Sequence, residues 1–199
     1  MLTERRIAQF GLVAAFTILI GSMAMLLARD VSDQSSVPKI HPGIKAPEIG
    51  LKDTKGREVS LSAYHGERVV LCFDSPHYPA ASTDYHQRLV GLSQEFGVKV
   101  IEIQSDAEVD SQQTATVSSN DFLTLLDRKG RVTASYDINV SPTFVLVDQN
   151  GMIRYRGALD DNTDEGKVSE HYLADALRNL NSDRPIGVAW VQAFGRPIK

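Results

Sequence analysis

The sequence holds a single cysteine, Cys72, in 199 residues. One thiol excludes an intrachain disulfide, a CxxC redox pair and a cysteine-rich zinc cage together. Positive charge is also scarce. Lysine and arginine number 21 against 25 aspartates and glutamates, a formal net charge of -4. That balance leaves no basic footprint for nucleic acid. The chain has no Gly-x-Ser-x-Gly elbow and no glycine-rich phosphate loop, so the common hydrolase and nucleotide-binding motifs are missing. His41, His65, His77, His86 and His171 show neither His-x3-His spacing nor a His-carboxylate cluster, and Asp160-Asp161-Asn162 with Asp164 and Glu165 lacks the Asp-x-Asp-x-Asp-Gly ladder of a calcium loop. The expectation is no metal and no cofactor, with solvated imidazoles and a solvated acidic turn. What remains is ordinary globular composition, 42% hydrophobic and 23% charged, with one domain as the default.

The charges leave a long gap. No ionisable residue occurs between Arg6 and Arg29, and residues 7–27, IAQFGLVAAFTILIGSMAMLL, have only Gln9, Thr17 and Ser22 as polar side chains. As a helix this run reaches about 31 Å, the thickness of a bilayer core. Ser22-Met23-Ala24 resembles a small-x-small cleavage site, but a secretory apolar region runs only about 7 to 15 residues, so the length predicts an uncleaved anchor. Arg5 and Arg6 before the span, against Arg29 beside Asp30 after it, point the N-terminus to the cytoplasm and the rest outward. Removing Arg5, Arg6, Arg29 and Glu4 leaves residues 30–199 with 18 basic and 24 acidic side chains, net -6, a poor match to anionic lipid. Ala8, Gly11, Ala15 and Ser22 fall at spacings of 3, 4 and 7. They place small residues on one face of the span, where a second transmembrane backbone can approach closely. The expected organisation is a cytoplasmic stub and anchor over 1–28, a polar linker over 29–42, and a folded domain with a C-terminal extension over 43–199.

Within that domain the pattern alternates between strand and helix. Residues 68–73, RVVLCF, form a short run of β-branched and bulky side chains that suits a strand buried on both faces. After the turn-rich SPHYPAAS, the residues Tyr85, Leu89, Leu92 and Phe96 recur at helical spacing, with Ser82 or Thr83 as N-cap and Gly97 as stop. Residues 98–103, VKVIEI, then make a second strand and complete a parallel βαβ unit. The polar stretch DAEVDSQQTATVSSND carries no periodicity and reads as a surface loop or frayed helix. Strands over 144–147 and 152–155 flank Asp148-Gln149-Asn150-Gly151, an antiparallel hairpin signal. Residues 169–180 form the last helix, with Tyr172, Leu173, Ala176, Leu177 and Leu180 on one side. The expected fold is α/β, a central mixed sheet flanked by helices and preceded by one transmembrane helix.

That layout is the thioredoxin fold, and particular residues resemble a family. Gly43-Ile44-Lys45-Ala46-Pro47-Glu48-Ile49, Leu51, Asp53, Gly56, Val59-Ser60-Leu61, Tyr64 and Gly66 are similar to the opening of membrane-anchored redoxin domains. That group includes thiol-disulfide oxidoreductases and alkyl hydroperoxide reductases. Residues 140–148, VSPTFVLVD, and 151–157, GMIRYRG, resemble its cis-proline segment and following hairpin, and Gly157-Ala158-Leu159-Asp160-Asp161-Asn162 resembles a GxxDDN subgroup. The resemblance covers about residues 43–185 and implies a cis bond at Ser141-Pro142.

The chain then departs from the family. Redoxins carry the attacking cysteine on the turn from the first buried strand into the helix, where the helix N-terminus stabilises the thiolate. Here that turn reads Asp74-Ser75-Pro76-His77-Tyr78-Pro79-Ala80-Ala81, with Tyr78-Pro79 where the subgroup has Cys-Pro. Its late cysteine, in a Gly-Cys-x-Ile ending, corresponds to Gly195-Arg196-Pro197-Ile198. Ser75, His77, Tyr78, Pro79, Ser141 and Pro142 therefore outline a degenerate redoxin site. Cys72, inside the strand, reads as a buried small hydrophobe. A peroxidatic site is excluded because Val69 and His65 stand where its Thr and Pro belong. Two functions follow. The first is a non-catalytic accessory or scaffolding subunit of a larger bacterial integral-membrane complex, such as an electron-transfer or photosynthetic one. It would be held in the inner membrane through residues 7–27, expose its domain to the periplasm, and offer Trp190 and Phe194 as contacts. The alternative is a periplasmic thiol oxidoreductase or maturation factor acting through Cys72.

Overall fold

In the computed structural model of the chain, residues 39–75, 83–105 and 121–198 are described. The span over 7–27, with Ala8, Gly11, Ala15 and Ser22, and the turn residues His77, Tyr78 and Pro79 lie outside them. Among the described residues no helix is long and apolar enough to cross a membrane.

The elements run β1 (Gly50–Asp53), β2 (Glu58–Ser60), β3 (Val69–Asp74), α1 (Thr83–Phe96), β4 (Lys99–Gln104), β5 (Leu123–Leu126), α2 (Arg131–Ser135), β6 (Val140–Ser141), β7 (Thr143–Val147), β8 (Ile153–Gly157), α3 (Tyr172–Asn181) and β9 (Arg196–Pro197). Seven strands form one mixed sheet in the order β2-β1-β5-β4-β3-β7-β8, and β6 pairs with β9 apart from it. Strand β3 lies inside the sheet, parallel to the middle strand β4 and antiparallel to β7. All six of its residues are buried, as a run apolar on both faces requires. Fully burying each Val, Leu or Phe of such a strand contributes about 1.5–3 kcal/mol, which makes this strand the most costly part of the fold to disturb.

The two faces of the sheet are covered differently. Leu71, Phe73, Ile101, Ile103 and Val145 pack with Ile49, Val132, Tyr136 and Ile138 on one side. On the other, Val70, Cys72, Val100, Phe144 and Leu146 pack under Tyr85, Leu89 and Phe96 of α1 and Leu173, Ala176 and Leu177 of α3. The expected helical stripe is thus observed, with Leu92 at its half-buried margin.

Several features differ from the sequence expectation. The β1–β2 hairpin and the short strand β5 escape the periodicity reading. Ile40, placed in the linker from sequence, is buried in the first core cluster. The final helix begins at Tyr172 rather than residue 169, because Asp161 accepts from both the amide (2.9 Å) and the hydroxyl (2.5 Å) of Ser169 and holds it in the preceding loop. Of the polar stretch 106–121 only Asp121 is described, and its carboxylate meets His86 Nε2 at 2.7 Å.

The C-terminal extension does not fold away as a helix. It runs extended along the domain, first across β8, where Arg156 N donates to Ala189 O at 3.0 Å and Val191 N to Arg156 O at 3.0 Å. It then reaches β6 as β9, in the register Val140↔Pro197 and Ser141↔Arg196.

Candidate functional site at the carboxyl end of the sheet

Three buried strands end in polar residues at the same edge: Asp74-Ser75 after β3, Gln104-Ser105 after β4, and Asp127 after β5. All five are buried. Buried polar groups require partners, and here they largely satisfy one another. Ser105 N donates to Asp74 O at 2.9 Å and Asp127 N to Gln104 O at 2.9 Å, continuing the parallel ladder past its last residues. The Ser105 and Thr133 hydroxyls are hydrogen-bonded to each other. Asp127 accepts from Arg131 N (3.0 Å), Thr133 N (2.8 Å) and the Thr133 hydroxyl (2.9 Å), tying α2 to this edge. Gln104 Oε1 is buried without a hydrogen-bond partner among the described residues.

Into this edge comes the segment carrying Ser141. The Ser141–Pro142 peptide is cis, as the resemblance implies, and Ser141 is 2% exposed. Its hydroxyl donates to Asp74 Oδ1 at 2.6 Å. The Ser75 amide donates to Asp74 Oδ1 at 2.8 Å and to Ser141 Oγ at 3.1 Å. The structure thus joins Ser75, Ser141 and Pro142, which the sequence named, with Asp74, which it did not. Ser141 is also the register partner of Arg196, so the C-terminal segment reaches the same edge. The signal that could have found Asp74, Gln104 and Asp127 was the polar ending shared by three apolar strands, since ligand sites of open α/β sheets lie at the carboxyl ends of their strands.

Cys72 is close in sequence but not in role. It pairs with Glu102 on one side and Phe144 on the other, and it is 1% exposed. Burial pushes its thiol well above the usual value, and the nearby Asp74 and Glu102 carboxyls push it further. A nucleophilic cysteine needs partial exposure and positive surroundings, and Cys72 has neither. Glu102 is itself raised above the usual carboxyl range, chiefly by burial and in part by Asp74, against a 3.1 Å hydrogen bond from the Thr124 hydroxyl. Among the described residues no group of three or more His, Cys, Asp or Glu side chains could hold a metal ion. Trp190 and Phe194 are 44% and 38% exposed, together with Val188 at 53%.

Comparison with known proteins agrees with this architecture. A family profile described as "AhpC/TSA family" matches residues 42–156, more than half of the chain. The thiol-disulfide oxidoreductase ResA of Geobacillus thermodenitrificans is 27% identical over 115 residues, 56% of this chain and 66% of that protein. The chain therefore spans slightly under two thirds of that relative's length. The thiol:disulfide interchange protein DsbE of Vibrio cholerae is 28% identical over 160 residues, covering 76% of this chain and 84% of that one. Among solved structures, a hypothetical protein from Sinorhizobium meliloti 1021 superposes with a TM-score of 0.65 at 22% identity, over 81% of this chain and 95% of its own. The fold is thioredoxin-like, with a central mixed sheet.

Proposed function

Because the chain belongs to the AhpC/TSA family, we propose that it takes part in thiol-disulfide exchange outside the cytoplasm, holding an extended partner polypeptide at the carboxyl end of its sheet. One observation carries this reading. The hydrogen-bonded group Asp74, Ser75 and Ser141 remains fully built and buried, although the positions resembling the family's cysteines hold Tyr78 and Arg196. A site with its thiols gone and its backbone frame intact still recognises main chain. The relatives named as thiol-disulfide oxidoreductases support this reading over the accessory-subunit one.

Two versions of the chemistry are open to such a site. In the first the partner brings its own thiols and this chain only holds it. In the second, which the relatives' names favour, Cys72 attacks a partner disulfide as the thiolate. One partner sulfur leaves as a thiol after taking up a proton, and a small external monothiol then resolves the mixed disulfide. The burial of Cys72 requires the second version to open the domain first. The apolar run over residues 7–27 supports anchoring in the inner membrane with the domain in the periplasm. Its small-residue face, Ala8, Gly11, Ala15 and Ser22, supports contact with an integral-membrane partner.

The test follows the full chain in mild detergent, titrated with S-carboxymethylated insulin B chain, by NMR at the Val140 and Ser141 amides. Insulin reduction with glutathione is measured alongside. Shifts without turnover support holding, and turnover abolished by Cys72→Ser supports the oxidoreductase version. Neither shift nor turnover overturns the proposal.

A further inference from the structure

The segment over residues 188–198 is seated by main-chain hydrogen bonds at both ends and by the side chains of Val191 and Ile198. Its upstream half is held at β8 by Arg156 N to Ala189 O and Val191 N to Arg156 O, both 3.0 Å, and its end by Ile198 N to Asn139 O at 3.0 Å. Between these, β9 pairs with β6 over two residues. Val188, Trp190, Phe194 and Pro197 are exposed, and Val191 and Ile198 are the half-buried side chains that pack against the two core clusters.

The two crossings are unusually close, and glycine makes both possible. A Cβ on Gly157, at φ 152°, would stand 2.4 Å from Val191 O, and one on Gly195, at φ 153°, would stand 2.1 Å from Ser141 O. No side chain fits at either point. The segment therefore lies directly against the backbone of Ser141, the residue whose hydroxyl is tied to Asp74.

We propose that residues 188–198 form an internal strap, a strand of the chain's own that occupies the Val140–Ser141 edge and must leave before an extended polypeptide can pair there. The proposal rests on the peptide-holding function above and adds its regulation. Main-chain pairing is indifferent to sequence, so another extended chain satisfies the same donors and acceptors that the strap now covers. A two-residue ladder with exposed side chains, backed by only two half-buried residues, Val191 and Ile198, has modest burial to retain it, the property of segments that open locally before the rest of a domain. Bound intramolecularly, the strap competes at a high effective concentration. Only a partner with further contacts displaces it, and this selects clients that touch more than the edge.

The single tryptophan of the chain, Trp190, lies in the strap and reports its mobility. The full chain in mild detergent is titrated with S-carboxymethylated insulin B chain while Trp190 fluorescence anisotropy and binding are recorded. The wild type is compared with Gly195→Ala and with a chain ending at Gly187, and thermal melts confirm folding. Expected results are a fall in Trp190 anisotropy on peptide addition, the same fall in Gly195→Ala without peptide, and at least about tenfold tighter peptide binding by both variants. The truncated chain, which lacks Trp190, is read by binding alone and covers the case in which Gly195→Ala does not fold. Peptide binding of equal strength in wild type and variants overturns the strap while leaving the holding function intact. Unchanged Trp190 anisotropy in a folded Gly195→Ala also overturns it. Absence of binding in all three chains removes the holding function and the strap with it.

Discussion

Ser141 donates its hydroxyl to Asp74 Oδ1 at 2.6 Å, so the residue before Pro142 is fastened to the last residue of β3. Both groups are buried, and the Ser75 amide bonds to each of them. Replacing Ser141 with alanine leaves a buried carboxyl with one donor fewer and the Ser75 amide with one acceptor fewer. Removing one partner of a buried pair costs about 1–3 kcal/mol. Urea denaturation of Ser141→Ala is expected to show a loss in that range with an unchanged slope. A loss below about 0.5 kcal/mol removes the bond from any structural role.

Cys72 is expected to resist thiol reagents in the native protein. Burial and two flanking carboxyls hold it as the neutral thiol, and the thiolate is the reacting species. Modification by a chromogenic disulfide at pH 7 should proceed at least about a hundredfold more slowly in the folded chain than in guanidinium. Cys72→Ser should be less stable than Cys72→Ala, because it buries a hydroxyl among Val70, Val100 and Phe144. Equal rates in folded and unfolded protein show that Cys72 reacts without the opening that the oxidoreductase version requires.

The centre of the fold is legible in the sequence because β3 is an apolar run, β4 carries Val100, Ile101 and Ile103 and α1 carries an apolar stripe. The missed elements are those held by polar side chains. β1 alternates exposed and buried positions, but its second buried residue is Asp53, whose carboxylate accepts from Lys55 N, Arg57 N and Arg57 Nε. A hydrophobicity pattern misses such a residue. α2 reads RVTAS, with two β-branched residues in five, a poor helix by propensity. It forms because Asp127 takes the Arg131 and Thr133 amides. At the site, Ser75, Ser141 and Pro142 came from the family resemblance, whereas Asp74 depended on a long-range hydrogen bond to Ser141 and Asp127 on amides of the helix that follows it. The strap was invisible for the same reason, since main-chain pairing leaves little side-chain pattern to read.

Arg88 and Asp160 form an ion pair with only 11% and 5% of their side chains exposed. Arg88 also donates to Thr163 O at 3.1 Å and lies 4.6 Å from the Tyr85 ring centre. It joins α1 to the Asp160-Asp161-Asn162 turn. Burial raises the Asp160 carboxyl above its usual range, with Arg88 and then His171 opposing. Breaking a buried pair from one side costs about 3–5 kcal/mol. Arg88→Met should therefore destabilise by about 2–4 kcal/mol, somewhat less because His171 remains 3.4 Å from Asp160. The double variant Arg88→Met with Asp160→Asn should recover a large part of that loss. Additive losses in the cycle show that the two residues act separately.

Asp161 and Glu102 should shape the pH profile in opposite directions. The Ser169 hydroxyl and amide lower Asp161 from 3.8 to about 2. Its contribution is complete above the unfolded value and is lost as pH falls from about 4 towards 2. Ser169→Ala should shift acid unfolding to higher pH. Glu102 is raised above 4.5, chiefly by burial. The fold thus favours its protonated form, and the contribution is present below pH 4.5 and lost as pH rises through the folded value. Glu102→Gln keeps an acceptor for the Thr124 hydroxyl, which bonds Glu102 at 3.1 Å, and removes the charge. The variant should be more stable than wild type at pH 7 and show no advantage near pH 4. Denaturation midpoints measured across about pH 2 to 8 check both slopes. A Glu102→Gln chain that is less stable than wild type at pH 7 shows that the ionised carboxylate has a favourable partner there, and removes the burial argument for this residue.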